Sequence, residues 1–157
     1  MNTKKWAIVL IIFFSLIGVS NSIFERLAQR AEKKSLKEKL LSSVMQLKNC
    51  QGKKSKLIDF LPNQYFEICF QPAYMLKQDF EKKAGRSAKS YEILQNDGEG
   101  MWWLFKKNGQ TIKIELSNAE VMLSPNIEFG KCYSAENSIV SFDCDLNKQT
   151  FKVEEKK

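Results

Sequence analysis

Between residues 36 and 47 apolar side chains return every three or four positions. Leu36, Leu40, Val44 and Leu47 carry the repeat, Leu41 and Met45 widen it, and Lys37, Glu38 and Lys39 fall between. That period predicts an amphipathic helix with one stripe laid on a core. Upstream, Leu27, Ala28 and Ala31 make a thinner stripe. A helix over 23–48 is therefore expected to begin as a polar stalk and to end docked on a domain, with Asn49 and Gly52 stopping it.

Further on the period shortens to two. Gln64–Gln71 (QYFEICFQ) predicts a strand after a short apolar piece, Leu57–Leu61. After Pro72, residues 73–84 predict a helix with Met75, Leu76 and Phe80 inward and Gly85 as its stop. Ala88–Gln95 predicts a strand, and Asn96–Gly100 a turn rich in Asn, Asp and Gly. MWWLFKK and QTIKIEL then flank Asn108-Gly109, a strong hairpin signal. A two-residue turn would set Phe105 opposite Ile112, Trp103 opposite Ile114 and Met101 opposite Leu116. Those six are expected to form the core face. The other face would carry Trp102 and Leu104 beside Lys113 and Glu115. Short strands are expected over 119–123, 138–144 and 150–153. The sum is an α+β fold: an antiparallel sheet of about five to six strands, with a long N-terminal helix and one shorter helix packed on it.

The first residues change the picture of where this domain works. Met1–Trp6 holds Lys4 and Lys5, residues 7–19 (AIVLIIFFSLIGV) are uncharged, and Ser20-Asn21-Ser22 follows. A basic start, a short apolar core and small residues match a secretory signal peptide. Extended to Phe24, the run approaches the lower limit of a spanning helix, so an uncleaved signal anchor is the rival. The expected organisation is a signal peptide or signal anchor over 1–22, a basic helical stalk over 23–39 and a small extracytoplasmic α+β domain over 40–157.

Charge is unevenly spread over the 157 residues. The net +7 is matched by residues 25–56 alone, with ten Lys/Arg against three Glu, while 57–157 sum to −2. A nucleic-acid binder would place its basic residues on the folded reading surface, so no nucleic-acid partner is expected. A basic stretch beside an apolar run suits a membrane surface or a charged protein, or is simply a solvated helix face. The basic residues after the run outnumber those before it. For an uncleaved segment this would favour a cytoplasmic domain.

The cysteines point outward again. Cys50, Cys69, Cys132 and Cys144 all follow the apolar run, and an even number in a small exported domain predicts two disulfides. The local pairs Cys50–Cys69 and Cys132–Cys144 are expected. Histidine is absent. That removes the commonest general base, the Ser–His and Cys–His pairs and the commonest metal ligand. No phosphate loop, nucleophile elbow or zinc spacing occurs, so no catalytic residue, cofactor or metal is expected. Trp102 and Leu104 are either an interaction patch or, if a helix covers them, a second core layer, and the second is the simpler expectation.

The expected function is that of a non-enzymatic exported binding protein of a bacterial cell envelope, an inhibitor or immunity-type protein acting by protein–protein contact. The alternative is a membrane-tethered structural or assembly component of an envelope complex, with the domain extracytoplasmic at the inner membrane or in the periplasm. A small envelope enzyme working without histidine is the third class.

Overall fold

A computed structural model of the chain describes the backbone of residues 3–47, 54–145 and 148–156, and the side chains of 23–47, 54–142 and 150–156. One long helix, α1 (Thr3–Leu47), leads into β1 (Lys54–Lys56), α2 (Leu57–Phe60), β2 (Tyr65–Pro72), α3 (Lys77–Ala84), β3 (Glu99–Lys106), β4 (Thr111–Ser117), β5 (Cys132–Ser134), β6 (Ser138–Asp145) and β7 (Lys148–Glu155). The strands form two antiparallel sheets, one ordered β1-β6-β7 and the other β4-β3-β2-β5. The fold is α+β, as the periodicities predict. Chain contacts divide it into two units, Met1–Leu36 and Lys37–Lys157.

In the first unit the chain is helical throughout its described length, and Ile23, Phe24 and Leu27 are exposed. Among the described residues no helix is long and apolar enough to cross a membrane. The side chains of the apolar run 7–19 lie outside the described residues, as does the expected Ser20–Ser22 cleavage point.

In the second unit both faces of the four-stranded sheet are covered. On one face Ile68, Phe70, Trp102, Leu104 and Ile114 join Phe60, Val140, Phe151 and Val153, and Leu40 and Val44 of α1 are buried as their spacing requires. Phe151 is the hub of this layer, with its ring 5.3 Å from Trp102, 5.4 Å from Phe60 and 5.6 Å from Phe142. On the other face Cys69, Met101, Trp103 and Phe105 meet Phe80 and Ala84 of α3 and Ala88 and Leu94 of the segment that follows.

Four sequence expectations are corrected. The hairpin closes with three loop residues, Lys107, Asn108 and Gly109, because the Lys106 amide bonds the Gln110 carbonyl at 2.8 Å and Gly109 takes φ +83°. A three-residue loop with a glycine in the left-handed region is the next most common hairpin closure after the two-residue one. The register shifts by one: Trp102 faces Ile114, Trp103 faces Lys113 and Phe105 faces Thr111. A one-residue slip exchanges the two faces of a strand. Trp102 and Leu104 therefore belong with Ile112 and Ile114, while Trp103 and Phe105 share a face with Lys113. The helix expected over 73–84 begins only at Lys77, because Tyr74 sits at φ +58° and its amide bonds the Leu94 carbonyl. Residues 88–95 form no strand: Ser90 at φ +56° interrupts extension, and the segment serves as a lid on the second core layer. Residues 119–123 give only an isolated bridge from Leu123 to Phe151, and β1 and β5, three residues each, carry too little pattern to be seen in advance.

The expected local disulfides are also corrected. Cys69 lies directly opposite Cys132 in the β2–β5 ladder, and the two are bonded with their Cα atoms 4.2 Å apart. Cys50 and the Cys144 side chain lie outside the described residues.

Candidate functional site

The lid on the second core layer is held by polar contacts that the sequence does not advertise. Gly85 ends α3 at φ +68°, its amide bonding the Glu81 carbonyl at 3.0 Å. The chain then turns back, and the Glu81 carboxylate accepts the Ala88 amide at 2.7 Å and the Ser87 hydroxyl at 3.1 Å. The Ala88 amide, with Ser87 and Lys77 beside it, holds the Glu81 carboxyl below its usual value. This clasp sets Arg86, Lys89 and Ser90 along one rim of a groove.

The opposite rim comes from the hairpin. Gln110, Thr111 and Lys113 line it with Lys106, and Phe66, Trp103 and Phe105 form an aromatic floor. Phe66 reaches that floor because β2 bulges between Tyr65 and Glu67. A bulge adds one residue to the strand and re-aims a side chain. The groove measures about 510 Å³.

Its electrostatics are set by cations laid over rings. The Arg86 guanidinium carbon sits 4.4 Å from the Phe105 ring centre, and the Lys113 ammonium 5.5 Å from that of Trp103. Such stacking over a π face is favourable by about 0.5–2 kcal/mol depending on desolvation. Arg86 also pairs with Glu67. Burial of Glu67 pushes its carboxyl up, and Arg86 opposes that shift. Lys113 bonds the Ser90 carbonyl and the Glu92 carboxylate, the latter at 3.0 Å, which ties the hairpin to the lid. Four cations thus line the groove against two paired carboxylates.

Beneath the floor the fastening centres on a buried glutamine. Gln71, 1% exposed, accepts the Trp103 indole N–H at 2.8 Å and donates to the Glu92 carbonyl at 2.8 Å. Tyr91 stacks on Trp103 with ring centres 5.9 Å apart, and its hydroxyl donates to the Met75 carbonyl. Burial, with the Asp79 charge added, pushes the Tyr91 phenol up to about 12. The floor is therefore rigid, and the rims are cross-tied.

Chemically the groove sets cations beside aromatic rings, a combination complementary to an anionic, partly apolar group. The chain has no imidazole, and among the described residues lining the groove no thiolate stands beside the rim hydroxyls of Ser87, Ser90 and Thr111 to activate them. Among the described residues no group of Cys, Asp and Glu is arranged to hold a metal ion.

The residues singled out from the sequence fall elsewhere. Trp102 and Leu104 are 1% and 0% exposed, inside the first core layer, so they present no surface patch. Gln71 is expected only as the end of a strand, and Lys113 is expected beside Trp102, on the opposite face from Trp103. Lys-Asn-Gly as a three-residue loop was the available signal for Lys113, since it puts that lysine beside Trp103. Arg86 and Lys89 carried no local signal, because a fold brings them to the hairpin from a segment with no repeat. Compared with known proteins, the chain matches no family model, no characterised protein and no solved structure.

Proposed function

We propose that this chain is an exported, non-enzymatic binding protein of the bacterial cell envelope that acts by occupying a protein partner. The observation that carries the reading is the groove between the lid and the hairpin. It joins an aromatic floor to a cationic rim, and its supports are buried and cross-tied. Aromatic anchors and arginine dominate the energetics of protein interfaces. A preformed surface spends little on ordering when it binds. The Cys69–Cys132 disulfide supports a site of action in an oxidising compartment. An inhibitor or immunity-type role suits a domain of this size whose surface is built to hold and not to react.

The experiment places a photo-crosslinking amino acid at Lys89, in the groove, and at exposed Glu136, outside its lining. Both variants are irradiated in living cells. One discrete protein adduct from position 89 and none from 136 is the expected result. The reading fails if position 89 gives no adduct, or gives only the products that position 136 gives.

One observation favours a second reading. The first unit is helical throughout its described length, and its Ile23, Phe24 and Leu27 are exposed. A membrane-tethered assembly component would keep the apolar run as an anchor and 23–39 as a basic stalk near anionic lipid. Full-length mass in the membrane fraction separates it from the first reading.

A further inference from the structure

The groove has a neighbour that suggests how a partner would enter it. β4 is an edge strand of its sheet. The phase of its ladder is fixed at both ends: the Lys106 amide bonds the Gln110 carbonyl at 2.8 Å, and the Asn118 amide bonds the Gly98 carbonyl at 2.6 Å. In an antiparallel pair, hydrogen-bonded and non-bonded positions alternate. Ile112, Ile114 and Leu116 thus turn their backbone groups toward β3, and Thr111, Lys113 and Glu115 turn theirs away from it. Outside the β3–β4 ladder, no backbone hydrogen bond reaches those three among the described residues. Thr111 and Lys113 are also the groove's rim.

We propose that an extended acidic segment of a partner protein adds to β4 as a further strand, and that its alternate side chains lie in the groove. This rests on the reading of the chain as a binding protein and names the mode and the ligand class. Strand addition draws affinity from main-chain hydrogen bonds and selectivity from pockets for every second side chain. Here the pocket is already built. A residue placed opposite Lys113 shares its face, over Trp103 and within the field of Arg86 and Lys89. A carboxylate there gains cations on both rims, beside the Arg86–Glu67 and Lys113–Glu92 pairs. Glu115, on the same face of β4, disfavours an acid at that end. The segment is therefore acidic toward Thr111 and neutral or basic toward Glu115.

The same lysine decides against a second copy as the occupant. Two β4 edges pairing antiparallel about Lys113 would bring their lysines together, and like charges directly opposite destabilise a sheet. An inward-facing charge on an edge strand is one way proteins suppress self-pairing. An acidic partner removes that obstacle.

The test uses the full chain in non-ionic detergent and, as probe, an acetylated and amidated Glu-Thr octapeptide with Glu at alternate positions of its C-terminal half and Thr elsewhere, so that an antiparallel addition leaves a neutral residue opposite Glu115. A Lys-Thr octapeptide is the comparison. Backbone amide hydrogen exchange is followed residue by residue. The expected result is saturable binding of the Glu-Thr peptide, with slower exchange at Thr111, Lys113 and Glu115. The affinity falls roughly tenfold in the exposed variant Lys89→Glu, and the Lys-Thr peptide does not bind. Binding without protection of those three amides overturns strand addition and leaves the groove standing. Equal binding of both peptides overturns the acidic partner. Absence of binding overturns the inference as a whole, while the crosslink from Lys89 still judges the binding-protein reading separately.

Discussion

Gln71 and Trp103, on adjacent strands and 32 residues apart, share a buried hydrogen bond from indole nitrogen to amide oxygen of 2.8 Å. The same amide holds the Glu92 carbonyl, so one side chain joins β2, β3 and the lid. Gln71→Leu would leave the Trp103 N–H buried without a partner and would release the part-buried Glu92 carbonyl. Each orphaned group costs about 1–3 kcal/mol. Chemical denaturation should show a loss in that range or above it. Unchanged stability would mean that the lid is not fastened there.

The register of the hairpin can be tested at Trp102. In the observed pairing this ring is interior, 5.0 Å from Phe70 and 5.3 Å from Phe151. Trp102→Ala should destabilise the domain by about 3–5 kcal/mol. Trp102→Glu should prevent folding, since it buries an unpaired charge. A folded Trp102→Glu protein that had lost only its partner would restore the surface patch.

How far the sequence foretold this structure is clearest at those two tryptophans. Period and turn residues were enough for the α+β class, for β2, the hairpin, β6 and β7, and for the docked stripe at Leu40 and Val44. They failed where geometry depends on one residue more or less. Asn-Gly signals a turn but not whether it holds two residues or three, and that choice swaps the faces of Trp102 and Trp103. Residues 88–95 carry a strand-like pattern because Tyr91, Ile93 and Leu94 are apolar, whereas Ser90 breaks the extension. The groove was illegible for another reason. Its cations come from two segments that only tertiary contact joins.

Disulfide connectivity is open to direct mapping. Cys69–Cys132 closes a long loop, with a sequence separation of 63. Non-reducing digestion should release one peptide pair linking those two residues, and Cys50 with Cys144 is then the only second bridge available. Replacing Cys69 and Cys132 by Ala should cost about 2–5 kcal/mol. Recovery of Cys50–Cys69 or Cys132–Cys144 would contradict the β2–β5 ladder.

Acid should loosen the contact between the helix and the sheet. The Lys37 ammonium lies 2.8 Å from Glu120, whose carboxylate also accepts the Ser117 amide at 2.9 Å. Together they hold the Glu120 carboxyl below its usual value. A depressed folded value means that the contribution is complete above the ordinary carboxylate value of 4.5 and is lost as pH falls through the depressed one. Both partners are about one-third exposed, so screening limits the pair to at most about 1 kcal/mol. Glu120→Gln should therefore be slightly less stable than the parent at neutral pH and indistinguishable from it once the pH has fallen below the depressed Glu120 value. A difference that persists in acid would assign the effect to packing.

The central claim, a disulfide-bonded domain working outside the cytoplasm, is tested most directly by the intact mass of the protein recovered from the cell envelope and alkylated without reduction. The predicted spectrum shows no alkyl group added. Loss of about 22 residues would place the domain free in the envelope, and full length would tether it there. A full-length chain carrying four alkyl groups would put every cysteine in a reducing compartment and contradict the account.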